Sequence, residues 1–344
     1  MRLITFRPND GRVRAGVLLG NTVIDLEAAA PLVFDEAESY RWDMLSLLRA
    51  EADNSSLDAA EEIVQAVIDQ VGGEDYFDGS DNSIPWDDDL IGSVSIGGVE
   101  MVLPLDSVQL LAPLPRPSSI RIFDSFEEHR IAVNQLRQSY IHPNWYERPS
   151  FYFGNHNAIY GPEAEIPYPE TRSLDYGLSI ACVIGRQGRN IYQEDAMSYI
   201  AGYTIVNNWV ARDIQEEELA IGQGCAKAID FATSLGPMIV TPDELEEFLL
   251  PDERHNLTMI ARVNGVERSR GYTRDSFYPF SALVAYASLH TTLYPGDVIT
   301  SGTVSQGCLL EATAGQGPWL APNDRVELEI SGLGTLVNII GQPE

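Results

Sequence analysis

Cysteine is scarce in this 344-residue chain: three residues, odd in number and widely spaced, at Cys182, Cys225 and Cys308. That spacing argues against a disulfide framework or a Cys/His zinc cluster and suits reduced, buried thiols. Lysine is scarcer still. Lys227 stands alone, and every other cationic side chain is arginine. Genome composition bias accounts for this most simply; attraction of a cationic ligand or partner is the functional alternative. No run of 18 apolar residues occurs, so no membrane span is expected. The N-terminal MRLITFRPNDGRVRAGVLLG has no continuous apolar stretch of the kind a secretory signal needs, which makes a cytoplasmic location the default. Positive charge is also short: 22 Lys and Arg face 51 Asp and Glu, for a net charge of −29. Such a field repels phosphate backbones and anionic lipids, so neither nucleic acid nor membrane is expected as a partner.

What is present is an ordinary apolar content, 44%, on a chain long enough for one large or two modest domains. RLITFRPNDGRVRAGVLLGNTVIDL alternates apolar and polar residues around Asn-Asp-Gly and Gly-Asn turns, which predicts a meander of short strands. An acidic insertion spans about residues 34–99. Within it, Ser56 to Val71 carries apolar residues at helical spacing, with Ser56 or Asp58 as cap. GGEDYFDGSDNSIPWDDDL, which follows, has no periodicity and reads as a solvated acidic loop, with a partner-binding surface as the less favoured alternative. The proline-rich LLAPLPRPSS marks a domain boundary, giving an N-terminal domain of 1–112 and a C-terminal domain of 113–344. SFEEHRIAVNQLRQSYI predicts a helix capped by Ser125. Short strands punctuated by Gly and Pro fill the rest, which predicts an α+β, β-dominated fold.

Several collinear segments carry a stronger signal: FEEHR at Phe126, RPSFYFGN at Arg148, LDYGLSIACVIG at Leu174 and AGYTIVNNWVARDIQ at Ala201. DFATSLGP at Asp230, VNG at Val263, PGDVITSGT at Pro295 and SGLGTLVN at Ser331 continue the series. In order and spacing they resemble the fumarylacetoacetate hydrolase family, whose pattern reads DYExEL…VIG followed by GYT…NDxSARDxQ. The resemblance implies a mixed β-roll catalytic domain, a smaller β-rich N-terminal domain and a homodimer. It also implies C–C bond hydrolysis, or decarboxylase, tautomerase or hydratase chemistry. In that family a divalent cation held by carboxylates binds the substrate oxygens, a glutamate-oriented histidine activates water, and a lysine stabilises the oxyanion.

Carried over residue by residue, the resemblance makes His129 the catalytic histidine and Glu311 its orienting glutamate. Helix packing for His129 and a solvated strand position for Glu311 are the plainer alternatives. Gln215, Tyr152 and Thr303 fall where the family lines its pocket, and Arg212–Asp213 reads as a scaffold ion pair. The departures are sharper. The family's metal carboxylates fall on Ile122, Gly177, Ser179 and Asn208, and the position read as its lysine falls on Ile229. Lys227, two residues earlier, faces the same side only if that segment is extended. Neutral side chains do not offset a dication, so no metal cofactor is expected.

The main expectation is therefore a degenerate, non-catalytic protein, a pseudoenzyme, that holds a small-molecule or peptide intermediate of specialised metabolism in the old cleft. The alternative is a metal-independent hydrolase, lyase or tautomerase built on a His129–Glu311 dyad. Two lesser readings remain open. One is a metal enzyme with ligands displaced to Asp124, Glu127, Glu128 or Asp175; the other is a scaffolding role for the acidic region.

Overall fold

The computed structural model describes residues 1–37, 41–49, 57–72, 94–96 and 98–343. The acidic loop expected over 72–90 lies almost wholly outside the described residues, as does the candidate cap Ser56. The N-terminal meander forms as β1 (Arg2–Arg7), β2 (Arg14–Leu19) and β3 (Thr22–Asp25), paired antiparallel in sequence. Helix α1 (Leu57–Gly72) follows the apolar spacing read from the sequence and buries Ala60, Ile63, Val64 and Val67. After it come β4 (Val99–Pro104), β5 (Ser119–Phe123), α2 (Glu127–Leu136) and β6 (Phe151–Gly154). The next elements are β7 (Glu165–Tyr168), β8 (Leu178–Ile184), β9 (Ile200–Asn208) and α3 (Arg212–Ala220). They lead to β10 (Thr233–Val240), β11 (Thr258–Val263), β12 (Val266–Tyr272) and α4 (Phe280–Ala287). The chain closes with β13 (Asp297–Thr300), α5 (Leu309–Ala312), β14 (Arg325–Ile330) and β15 (Gly334–Pro343).

A large sheet runs β4-β3-β2-β1-β10-β9-β8-β13-β5-β6, and a five-stranded sheet runs β7-β15-β14-β11-β12. The fold is β-dominated and mixed, as expected. The large sheet crosses residue 112, because β1 pairs antiparallel with β10 through Arg2↔Val240 and Leu3↔Ile239. Its central strands are buried along their whole length and mostly apolar: every residue of β8, LSIACVI, and of β9, IAGYTIVNN, is buried, with Ser179, Thr204, Asn207 and Asn208 as the polar exceptions. A strand covered on both faces needs such a run, whereas β14, RVELEI, alternates because one face is wetter. Among the described residues, no helix is long and apolar enough to cross a membrane.

Two local expectations are corrected here. Ser125 does not cap α2: its hydroxyl donates to the Ser301 carbonyl at 2.6 Å, and Phe126 occupies the cap position without a side-chain bond. Lys227 and Ile229 do not share a strand face, because Lys227–Ile229 is a 3-10 turn. The Glu218 carboxylate curls that segment by accepting the backbone N–H groups of Ala226, Lys227 and Ala228.

Candidate active site

The site forms where the ends of the central strands meet α2, α3 and α5. Ile122 on β5 and Tyr152 on β6 stand opposite each other in register, and Thr300 on β13 flanks Ile122 from the other side. Three residues past Thr300, Thr303 completes that wall. Opposite it, α2 contributes His129, Arg130, Val133 and Arg137, while α3 contributes Arg212 and Gln215. Together with Asn208 and Cys225, these residues line a cavity of about 280 Å³. That is just below the usual range for small-molecule sites, so it suits a compact ligand.

His129 and Glu311, 182 residues apart, meet here: imidazole Nδ1 lies 2.6 Å from carboxylate Oε2. Glu311 sits on the short helix α5 with its side chain 3% exposed, not on a solvated strand. Burial works against its charge. The His129 hydrogen bond and charge, the Gln306 N–H and the Cys308 thiol outweigh that cost and hold the carboxyl below its ordinary range. Cys308 is fully buried, and burial together with the Asp175 charge keeps it a thiol, so it donates to Glu311 Oε2 at 3.2 Å. With Nδ1 engaged, Nε2 is the imidazole nitrogen left for a ligand in the cavity.

Asp175 sets the position of Glu311. Its buried carboxylate accepts the Arg212 Nε at 2.9 Å and the N–H groups of Leu309 and Leu310 at 2.7 and 3.1 Å. The first turn of α5 is thereby clamped to a charged anchor. This corrects the expected Arg212–Asp213 pair. Asp213 instead accepts from Thr171 and from the Arg172 backbone. Burial tends to discharge Arg212, but the Asp175 charge more than offsets it, so the guanidinium remains a fixed cation at the cavity wall. Its Nη1 donates to Gln215 Oε1 at 3.0 Å, and Arg137 reaches the same oxygen at 3.3 Å. Gln215 in turn donates to Cys225 Sγ.

Of the residues expected at the pocket, His129, Tyr152, Gln215 and Thr303 line the cavity. Burial pushes the Tyr152 phenol up, so it stays a neutral donor. Lys227 is elsewhere. It lines the adjoining open depression with Ile229, and its ammonium is spent on Asp230 at 2.9 Å. Of the four positions read as former metal ligands, Ile122 and Asn208 line the cavity, while Gly177 and Ser179 lie behind Asn208. Asn208 Nδ2 donates to Ser179 Oγ at 3.0 Å, and Ser179 Oγ donates to the Gly177 carbonyl at 3.3 Å. A Cβ at Gly177 would sit 2.9 Å from both the Asn208 carbonyl and Thr303 Oγ1, leaving no room for a longer side chain there. Three of the four displaced-ligand carboxylates are otherwise engaged, and the fourth, Glu128, is exposed on α2. Asp124 pairs with Arg130, Glu127 accepts from Tyr146, and Asp175 is spent on Arg212 and α5. Among the described residues, the one convergent trio of metal-binding side chains is His129, Cys308 and Glu311.

Arg137 lies in no motif and Arg130 closes the FEEHR segment without an assigned role, yet they place two guanidinium groups at the cavity. Their signal was the helix itself: residues 129, 130, 133 and 137 recur at the spacing of one α-helical face.

Comparison with known proteins gives the family and the fold. The fumarylacetoacetate hydrolase C-terminal family matches residues 119–340. The oxaloacetate tautomerase YisK of Bacillus subtilis (strain 168) is 32% identical over 69% of this chain and 74% of its own length. The human mitochondrial oxaloacetate tautomerase FAHD2A is 30% identical over 69% and 71%. A fumarylacetoacetate hydrolase from Exiguobacterium antarcticum superposes with a TM-score of 0.68 at 23% identity, covering 99% of each chain. A maleylpyruvate hydrolase from Sphingobium sp. SYK-6, in complex with manganese (II) ion and pyruvate, gives 0.67 at 22% over the whole of both chains. These relatives are named as enzymes, which overturns the expectation of a non-catalytic binding protein and pseudoenzyme. The reading of a retained histidine–glutamate dyad serving a tautomerase or related enzyme accords with them better. The chain belongs to the fumarylacetoacetate hydrolase family.

Proposed function

We propose that this protein is a tautomerase that interconverts the keto and enol forms of a small 2-oxo dicarboxylate, with His129 as the proton-transfer group and no bound dication. The observation that carries the reading is the 2.6 Å His129–Glu311 contact at the wall of a cavity that also holds Arg130, Arg137 and Arg212. The net charge of −29 repels an anionic substrate at long range. At contact distance the guanidinium groups decide, because the wider field is screened within about 10 Å at ordinary salt. Two relatives at 30–32% identity are named oxaloacetate tautomerases, which supports this substrate class.

The reaction asks little more of the protein than proton traffic. His129 Nε2 takes a proton from the carbon beside the ketone. The released electron pair forms C=C as the carbonyl π pair moves onto oxygen; the imidazolium then gives its proton up to that oxygen, directly or through water, which yields the enol and restores neutral His129. The reverse steps restore the ketone, and no atom is gained or lost. Nδ1–H donates to Glu311, whose negative charge offsets the imidazolium formed in transit. Arg130, Arg137 and Arg212 are each paired with a carboxylate, Asp124, Glu216 and Asp175 respectively, so they act on the substrate as hydrogen-bond donors through their remaining N–H groups, which hold its carboxylates and the enolate oxygen.

Metal independence rests on the donor set. Ile122 offers no ligand atom, Gly177 has no side chain, and Asn208 and Ser179 carry only neutral oxygens. A hard dication is held by several oxygens, carboxylates chief among them, and none of these four positions supplies a carboxylate.

The test is enol decay, followed by ultraviolet absorbance with freshly dissolved oxaloacetate enol. The wild type accelerates decay above the buffer rate, and His129→Ala loses about 10²–10⁴-fold of that acceleration. An unchanged rate in His129→Ala rules out the dyad.

A further inference from the structure

We infer that Asn208 is a specificity-determining residue that reads the hydroxyl hydrogen of the enol; this rests on the tautomerase reading and deepens it. Asn208 is 4% exposed and lines the cavity, yet its Oδ1 is buried with no hydrogen-bond partner among the described residues. A buried acceptor left unpaired costs free energy, so such an atom at a cavity wall marks a place for a ligand donor.

The orientation of the amide follows from its neighbours. Ser179 Oγ has one hydrogen and gives it to the Gly177 carbonyl. Its oxygen can then only accept, and it does so from Asn208 Nδ2 at 3.0 Å. Ser179 lies behind the wall, within fully buried β8. Nδ2 is thus drawn backward, and Oδ1 is left for the cavity. The Asn208 backbone is fixed as well, its N–H donating to the Gly177 carbonyl at 3.1 Å.

An acceptor held in this way distinguishes the two tautomers. A ketone oxygen facing Oδ1 sets acceptor against acceptor. An enol hydroxyl donates to it and satisfies it. Thr303 Oγ1, beside Gly177 on the same wall, can rotate to donate to the substrate oxygen's remaining lone pair. The neutral Asn208–Ser179 pair thereby favours the hydroxyl-bearing form on the protein.

The test uses binding rather than turnover. Isothermal titration calorimetry compares malate, a dicarboxylate with a hydroxyl on the carbon next to one carboxylate, with succinate, which lacks that hydroxyl. Wild type is expected to prefer malate by about tenfold, the value of one well-made hydrogen bond to a buried acceptor. Asn208→Leu, close in volume and without an acceptor, loses the preference while still binding succinate. Ser179→Ala keeps the acceptor but frees the amide to rotate, so the preference falls there too, which guards against misfolding of the Leu variant. Equal binding of both ligands to wild type, as when water satisfies Oδ1, overturns the inference and leaves the tautomerase reading standing. Failure of both ligands to bind overturns the two together.

Discussion

Asp175→Asn is expected to unfasten the site from beneath. Asp175 is fully buried, and its carboxylate neutralises the Arg212 guanidinium, itself 8% exposed, while holding two backbone N–H groups of α5. Removing one partner of a buried ion pair strands the other charge, at a cost of about 3–5 kcal/mol. The asparagine carbonyl can keep one of the α5 bonds, so lost capping adds only about 0.5–1 kcal/mol. Urea unfolding should therefore show a midpoint shift equivalent to at least about 3 kcal/mol with the slope unchanged. Asp175→Asn combined with Arg212→Met removes both charges, and its loss should fall short of the sum of the single losses by about 2 kcal/mol or more. Because α5 carries Glu311, the single variant should also lower kcat with little change in KM. A loss below about 1 kcal/mol for Asp175→Asn, or strict additivity in the double variant, would refute the idea that this pair anchors the catalytic helix.

Glu311→Gln should reduce kcat about 10²-fold or more and also lower the thermal midpoint, because the His129, Gln306 and Cys308 donors lose a charged acceptor, checked by enol-decay kinetics alongside calorimetry. Its carboxyl is held below the usual range, so its contribution to stability is complete above the unfolded carboxylate pKa and disappears as pH falls through the lower folded value. His255 has the opposite charge type but the same acid-side sign. Burial against Tyr203 brings it down to about 4 from 6.5, so the unfolded chain takes up its proton first as pH falls. Stability should drop by about 3 kcal/mol between pH 7 and pH 4 from this group alone, and His255→Phe should flatten that slope in urea titrations. Lys227→Ala should change kcat/KM less than about twofold, since its exposed ion pair with Asp230 is worth at most about 1 kcal/mol; a loss of 10²-fold would put the ammonium in the reaction.

Much of the fold was legible because period and burial agree. β14 alternates, β8 and β9 are buried throughout and mostly apolar, and α1 repeats its apolar residues at the helical interval. The dyad was visible only through resemblance, because no local pattern brings residues 129 and 311 together. Three local misreadings share one cause, competition from a distant hydrogen-bonding partner. Ser125 turned to the Ser301 carbonyl instead of capping α2. Glu218 drew the Lys227 segment into a turn, so the extended segment on which a shared face for Lys227 and Ile229 depended does not form. Arg212 found Asp175 across the fold, whereas its neighbour Asp213 turned to Thr171 and Arg172. Adjacent residues on a helix point in different directions, so sequence neighbours made a poor guess for an ion pair. The step from neutral side chains at the family's carboxylate positions to a protein without catalysis fails for a different reason: relatives at 30–32% identity are named as enzymes, and the residues at four positions do not by themselves exclude proton-transfer chemistry.

Metal dependence is the most direct test of this account. Protein stripped with a chelator, dialysed and verified metal-free by mass spectrometry should convert oxaloacetate enol at the rate of the untreated protein. Added magnesium or manganese should leave that rate unchanged. Activity that vanishes on stripping and returns with either ion would contradict the central claim that the histidine–glutamate pair works without a dication.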